Sequence, residues 1–525
     1  MRGDLEWGSV AGLVRAAGAR FAARGALVDG DVRLTFADLA GAVGRAARAT
    51  VAAGVAGGDR VSIWAPNIHE WAVVALGAVS AGAVLVPVNT RFKGAEAGYV
   101  LAGSRARVLF TVEGFLDNDY VSMLAGEDLP SLERTVVLRG TPPPGTESWD
   151  AFLSSGDATA PEDVDARMTG LGPHDLSDII FTSGTTGRPK GAMITHGQTL
   201  RVFEQWSEIV GLAEGDRYLV VNPFFHTFGY KAGLIASLMR GATVIPQPTF
   251  DVPRVLETIE AERVTVLPGP PTLYQSLLDH PRLGEFDLSS LRLAVTGAAV
   301  VPVELIRRMR EELTFRTIIT AYGLTESSGM ATACRADDDP ETIASTSGRA
   351  IDDTEVRVVD DDGGEVPRGT PGEVVVRGYN VMRGYFEDPE ETAGVIDGEG
   401  WLHTGDVGVM DDRGNLRITD RKKDMFIVGG FNAYPAEIEN VLLGHPQVSQ
   451  AAVVGVPDER LGEVGVAFVV ARPGGTPDPD EVVTWCRERM ANYKVPRRVE
   501  VVDTLPLNAS GKVLKYELRE RARAT

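Results

Sequence analysis

The 525-residue chain is 44% hydrophobic and 24% charged, an ordinary globular composition that excludes a disordered or fibrous protein and allows two or three domains with sizeable cores. A net charge of −21 argues against broad nucleic-acid or anionic-membrane binding, so a site for a phosphorylated ligand has to be locally basic. Cys334 and Cys486 stand far apart in neither C-x-x-C nor metal spacing, which predicts free structural thiols and suits a reducing, cytoplasmic setting.

In chain order, the first ten residues carry Asp4 and Glu6 and lack the apolar core of a secretory signal. Residues 10–170 alternate amphipathic helices with short apolar strands, as in a layered α/β domain, with a helix near 36–53 and a strand near 60–64. Trp71 to Val88 is an uncharged run of 18 residues, long enough for a membrane span. Gly77, Ser80, Gly82 and Pro87 interrupt it and β-branched residues gather at its end, which predicts a buried helix running into a buried strand and no integral membrane contact.

The stretch Phe181 to Gly191, FTSGTTGRPKG, follows the apolar strand residues Ile179 and Ile180. Thr182, Ser183, Gly184, Thr185, Thr186 and Gly187 can aim hydroxyls and backbone N–H groups at one point, the chemistry of a phosphate cradle, and Lys190 adds a mobile cation. Counted as a P-loop it fails twice: Pro189 replaces the second glycine and Gly191 replaces the metal-holding hydroxyl. A helical pattern spans 197–210, and the following run Val220 to Gly229 holds His226 among aromatic residues, the usual setting of a packed histidine. Lys231 reads either as a surface residue or as a partner for a polar group.

Leu293 to Thr296 predicts a strand ending at Gly297-Ala298-Ala299-Val300, with a helix started by Pro302. Small-residue loops at strand ends are usual ligand positions in α/β sheets. A second strand, Thr317 to Thr320, leads into Ala321-Tyr322-Gly323-Leu324-Thr325-Glu326-Ser327, which puts an aromatic face, a hydroxyl and a carboxylate within one turn; Thr325 also suits a helix cap. From 354 to 420 the pattern turns to short strands, with Asp406 after a Thr-Gly turn. The charge cluster at 420–424 predicts a domain boundary, and a helix starts at Pro435 with Glu437 in its first turn. Strands at 450–456 and 464–471 and a helix near 479–491 precede the terminal LPLNASGKVLK run at 505–515. The chain has only eight lysines, and Lys190, Lys422, Lys423 and Lys512 fall inside these motifs.

Taken together, 182–191, 322–327, 421–430 and 505–515 resemble, in order, the signatures of the adenylate-forming superfamily of acyl-CoA synthetases, amino-acid adenylation domains and beetle luciferases. The resemblance covers most of the chain from 178 onward and implies a large N-terminal AMP-binding domain (1–420) of layered α/β subdomains plus a β-rich subdomain, followed by a small mobile α+β domain (421–525). It implies that the 182–191 loop with Lys190 holds the ATP phosphates and that Gly297, Ala298 and Ala299 lie against the adenine, although Val300 stands where proline is common. Tyr322 and Gly323 would meet the base, Thr325 the α-phosphate, Glu326 a Mg2+ ion, Asp406 the ribose and Arg421 the nucleotide. Lys423 would be the hinge, Lys512 the catalytic lysine, and His226, Phe228, Gly229, Lys231 and Gly430 would border the acyl and CoA pocket.

That reading calls for ATP, Mg2+, a carboxylic acid and, with no carrier domain following, free CoA. A stand-alone ligase that loads a carrier protein and a non-catalytic nucleotide or acyl sensor remain as alternatives; intact Glu326, Asp406 and Lys512 speak against the sensor. A homo-oligomer is compatible with the sequence. The segment Phe224 to Lys231 with Thr296 to Ala299 resembles ligases that activate steroid-ring propanoates, against ordinary fatty or aryl acids.

Overall fold

The computed structural model describes residues 2–183, 189–297, 303–360, 362–421, 426–433, 435–472, 474–506, 513 and 515–524. The chain divides into two compact units, one of Met1–Thr90, Val100–Phe181 and Gly191–Thr419, the other of Arg91–Tyr99, Thr182–Lys190 and Asp420–Thr525.

In the first unit the strand Arg60–Trp64 pairs in parallel with Val84–Pro87 on one side and Ala106–Thr111 on the other, inside a seven-stranded sheet that ends with Leu176–Ser183 and Pro189–Thr195. Central parallel strands are covered on both faces and therefore read as unbroken apolar runs. The uncharged stretch from Trp71 is of this kind: it forms the helix His69–Ser80, buried from Glu70 onward, and then the wholly buried strand Val84–Pro87. Each buried valine or leucine there contributes about 1.5–3 kcal/mol. No helix among the described residues is long and apolar enough to cross a membrane.

A further parallel pair, Leu293–Gly297 and Thr317–Tyr322, sets Gly297 opposite Ala321, and Val266 bridges it to the neighbouring strands Arg217–Val220, Thr243–Pro246 and Gly25–Asp29. The β-rich part follows as expected: Thr354–Val359, Gly372–Gly378, Leu402–Met410 and Leu416–Arg421 form one four-stranded sheet. The fold is α/β with a β-rich subdomain, as the resemblance implied.

The helix His196–Val210 begins where Thr195 and Gln198 cap one another: Gln198 N–H donates to Thr195 Oγ1 at 3.2 Å, and Thr195 N–H to Gln198 Oε1 at 2.9 Å. His196, at 1% exposure, accepts the Val10 N–H at Nδ1 over 3.2 Å. Burial lowers its pKa to about 4; the Asp175 charge opposes that shift and the Lys231 charge adds to it. An unfolded histidine gains its proton near 6.5, so between those values the unfolded chain binds more protons than the folded one. Stability from this site is therefore complete above pH 6.5 and lost as pH falls, by about 3 kcal/mol at pH 4. His196→Asn keeps an acceptor for Val10 but does not titrate, so its unfolding temperature should drop less than that of the native protein between pH 7 and 5. Equal drops would contradict the assignment.

In the second unit, Gly462–Ala471 pairs antiparallel with Val448–Asp458 and with Phe426–Val428, and parallel with Arg498–Val501. Alternate residues of the long hairpin feed two apolar clusters. Val453, Ala467 and Val469 pack with Ile438, Leu442, Val482 and Cys486, whereas Val454, Val466 and Phe468 pack with Leu505 and Leu518. The helices Pro435–Leu443 and Pro479–Arg489 match their predicted starts. Lys494 is buried here, paired with Glu437 and, at 2.8 Å, with Glu96. Both cysteines are buried free thiols.

Candidate active site

The strand Thr317–Tyr322 and the strand Leu402–Met410 deliver two of the expected nucleotide residues to one another. The Tyr322 hydroxyl donates to Asp406 Oδ2 at 2.6 Å, and Asp406, 4% exposed, takes its turn from its own N–H donating to Thr404 Oγ1 at 3.1 Å. The Thr404 hydroxyl is itself held by the Val374 carbonyl at 2.7 Å. An aromatic ring and a carboxylate are thus fixed side by side.

Beyond Tyr322 the chain forms a tight 3-10 turn, Thr325–Ser327, rather than the helix that Thr325 was suited to cap. Gly323 permits this turn, because a Cβ there would lie 2.5 Å from the Gly329 carbonyl oxygen. Thr325 and Glu326 are buried, and Glu326 is anchored twice by the segment that follows the β-rich strand Gly372–Gly378. The Tyr385 hydroxyl donates to its Oε1 at 3.0 Å and the Met382 N–H to its backbone oxygen at 2.8 Å. Asn380, fully buried, fixes that segment by donating to the Met330 carbonyl at 2.9 Å and accepting from Thr354. Sequence reasoning missed Asn380 and Tyr385; the run Asn380-Val381-Met382-Arg383-Gly384-Tyr385 was the available signal.

The segment Val220 to Gly229, expected to border the acyl pocket, is built around Asn67, also missed. Its amide donates to the Val220 and Asn222 carbonyls at 3.0 and 2.9 Å, while its Oδ1 accepts the Phe224 N–H at 2.7 Å, so the backbone leading to His226 is held at three points. Phe224 and Tyr230 pack against Trp71. Phe228–Ile235 then forms a π-helix, an uncommon element found often at functional sites. His226 is exposed. Its Nδ1 accepts the Phe228 N–H at 3.1 Å, which leaves the neutral ring with Nε2–H as its donor. Phe228 is half-buried and Gly229 buried.

Lys231 differs from the expectation that it borders the acyl pocket. Its side chain is fully buried, with Nζ 2.8 Å from Asp178 and donating to Thr199 Oγ1 at 3.0 Å. The physical reason is that a buried ammonium requires a counter-charge, and the strand Leu176–Ser183 supplies one.

In the second unit the Thr182 hydroxyl lies 3.5 Å from the Lys190 carbonyl, and Gly430 is exposed. Gly184, Thr185, Thr186, Gly187, Ala298, Ala299, Lys423 and Lys512 lie outside the described residues, as do the side chains of Ser183 and Arg421. Among the described residues one cluster has the spacing of a metal site, Asp29, His69 and Glu70. The Arg139 guanidinium already sits among them, 2.5 Å from Asp29 and 2.7 Å from Glu70, so the cluster carries its own cation.

The chain matches the family model of the AMP-binding enzyme over residues 14–386 and that of the AMP-binding enzyme C-terminal domain over 437–512. It is 51% identical over 500 residues to a 3-(7a-methyl-1,5-dioxo-octahydro-1H-inden-4-yl)propanoyl:CoA ligase of Rhodococcus jostii, covering 94% of this chain and 95% of that one. A ligase of the same name from Mycobacterium tuberculosis is 52% identical over 495 residues, again covering 94% and 95%. Among solved structures, o-succinylbenzoate CoA synthetase from Bacillus subtilis, bound to a product analogue, superposes with a TM-score of 0.80 at 29% identity, over 97% of this chain and 98% of that one. The paired tyrosine and aspartate, the anchored glutamate and the two matched domains lead to one conclusion: the chain belongs to the adenylate-forming AMP-binding enzyme family and is an ATP-dependent acyl-CoA synthetase.

Proposed function

We propose that this acyl-CoA synthetase activates a propanoate carried on a fused-ring ketone of the kind produced when steroid rings are opened, and that it acts in the cytoplasm. The observation that carries this reading is the 51% identity that runs through 94% of the chain to a ligase named for such an acid. The acyl segment is compatible with it. A rigid ring system favours a pre-formed apolar wall with few polar groups, and Trp71, Phe224 and Tyr230 supply packed aromatic support while His226 supplies one N–H donor.

In the proposed chemistry the acid carboxylate attacks the α-phosphorus of ATP, pyrophosphate leaves, and the CoA thiol then displaces AMP from the acyl-adenylate carbonyl. Tyr322 and Asp406 hold base and ribose, Lys190 and the 182–187 hydroxyls and N–H groups hold the outer phosphates, and Lys512 offsets charge at the reacting carboxylate and α-phosphate. The buried Glu326 carboxylate, oriented by Tyr385, is a hard oxygen ligand suited to Mg2+, which when bound supplies positive charge to the phosphates. Lys423 is the proposed hinge, and Gly430 belongs to the loop that meets the thiol. With Asp406 as ribose acceptor, Asp406→Asn should raise KM for ATP about tenfold, the size of a lost charge-assisted hydrogen bond, and leave KM for the acid unchanged. An unaltered KM for ATP would remove that role.

Substrate class is tested by competing a bicyclic-ketone propanoate against octanoate and ferulate for limiting CoA. At least a tenfold preference in kcat/KM for the ring propanoate is expected. Efficient turnover of octanoate with undetectable ring thioester would overturn the proposal.

A further inference from the structure

The pair that removes Lys231 from the acid site is placed where three elements meet. Asp178 lies on Leu176–Ser183, the strand that runs into Thr182; Thr199 lies on His196–Val210; Lys231 lies on the π-helix Phe228–Ile235, two residues after Gly229. Lys231, Asp178, Thr199 and Ser177 all have essentially no exposed surface. Asp178 Oδ1 faces the ammonium at 2.8 Å, and Oδ2 accepts the Ser177 hydroxyl at 2.6 Å. The Ser177 oxygen is in turn 3.2 Å from the Ile194 carbonyl and 3.3 Å from Thr199 Oγ1. Burying two charges costs several kcal/mol per ion, and well-packed apolar residues usually serve stability as well or better. What an ion pair supplies that an apolar pair does not is a defined direction and distance between two backbones.

We infer that Asp178 and Lys231 are positioning residues that hold the acyl segment in register with the phosphate strand, so that the acid carboxylate meets the α-phosphorus in line. The inference rests on the proposed roles of the 182–191 loop and the 224–229 segment. Asn67 fixes the near end of the acyl segment, at Val220, Asn222 and Phe224; the ion pair fixes the far end, beyond Gly229. Of the two half-reactions, only adenylation requires acid and ATP to be aligned with each other, so loss of register should fall on that step. Both side chains are wholly buried and paired with each other, so the separate KM values should change little.

A single substitution leaves one buried charge unpaired and risks unfolding. The test is therefore the double variant Asp178→Asn, Lys231→Met, with Lys231→Arg as a second variant that keeps the charge but alters its reach. ATP–pyrophosphate exchange, thioester formation from supplied acyl-adenylate and the unfolding midpoint are measured for each. Expected is a fall of about tenfold to a hundredfold in the exchange rate, the scale of an ångström-sized misplacement, with both KM values, thioester formation and the midpoint within twofold or a few degrees of native. Lys231→Arg should lie between the double variant and the native protein. A folded double variant with native exchange would overturn the inference, and so would a proportional loss of both half-reactions with a lowered midpoint, which marks a purely structural pair. If the double variant does not fold, native exchange in Lys231→Arg overturns it alone. Failure of the underlying reading is distinct: the native protein itself would then show no exchange with any acid.

Discussion

Lys512→Ala is expected to lower the rate of acyl-adenylate formation by about a hundredfold to a thousandfold, the range for removing a single transition-state charge stabiliser. Phosphoryl-type chemistry at the α-phosphorus places several negative oxygens around an incoming carboxylate, and little covalent help is available, so charge compensation carries most of the barrier reduction. A lysine offers a compact, mobile cation for this purpose, and this chain, which writes most of its cations as arginine, retains lysine at 512. Attack of the thiol on the finished acyl-adenylate does not need that charge. Supplied with acyl-adenylate and CoA, the variant should form thioester within a few-fold of the native rate. Equal loss of both half-reactions would contradict the assigned role.

The second large effect is expected at Gly229. A Cβ at this position would lie 2.1 Å from the Pro223 carbonyl oxygen and 2.4 Å from that of Asn222. Both neighbours are backbone, and the Asn67 amide holds the Asn222 carbonyl at 2.9 Å. Neither can withdraw as the end of a flexible side chain would. In Gly229→Ala the start of the π-helix must move away from the Asn222-Pro223 turn, taking His226 and Phe228 with it. Displacement on the scale of an ångström costs about a hundredfold in a reaction that depends on alignment. Acid-dependent ATP–pyrophosphate exchange should fall by that order while nucleotide binding, measured by AMP titration, stays native. Native exchange would show that the segment tolerates the shift and does not border the acid.

Much of this architecture was legible in the chain because the informative features are local. An uncharged run interrupted by glycine and proline at Gly77, Gly82 and Pro87 specifies buried helix then buried strand, and short apolar runs specify the strands that become 176–183 and 317–322. What escaped notice is long-range. Tyr385 reaches Glu326 across 59 positions and Asn67 reaches Phe224 across 157, and no periodicity announces either contact. Lys231 was legible as a cation near the acyl segment, but hydrophobic pattern reports which face is buried and is silent on which partner waits there; Asp178, 53 residues earlier on another element, decides its position. The π-helix was missed for a related reason: Phe228–Ile235 is buried at almost every residue, so it has no polar face whose spacing could identify a helix.

The most direct measurement is mass detection of AMP and acyl-CoA after incubating the protein with Mg·ATP and a panel of ring-propanoate, linear and aryl acids, with and without CoA. AMP and a ring-propanoyl-CoA formed together, and only when CoA is present in full turnover, is the predicted result. AMP or bound acyl-adenylate with no thioester from any acid would contradict the account of the acceptor, and thioesters from linear acids alone would contradict the account of the substrate.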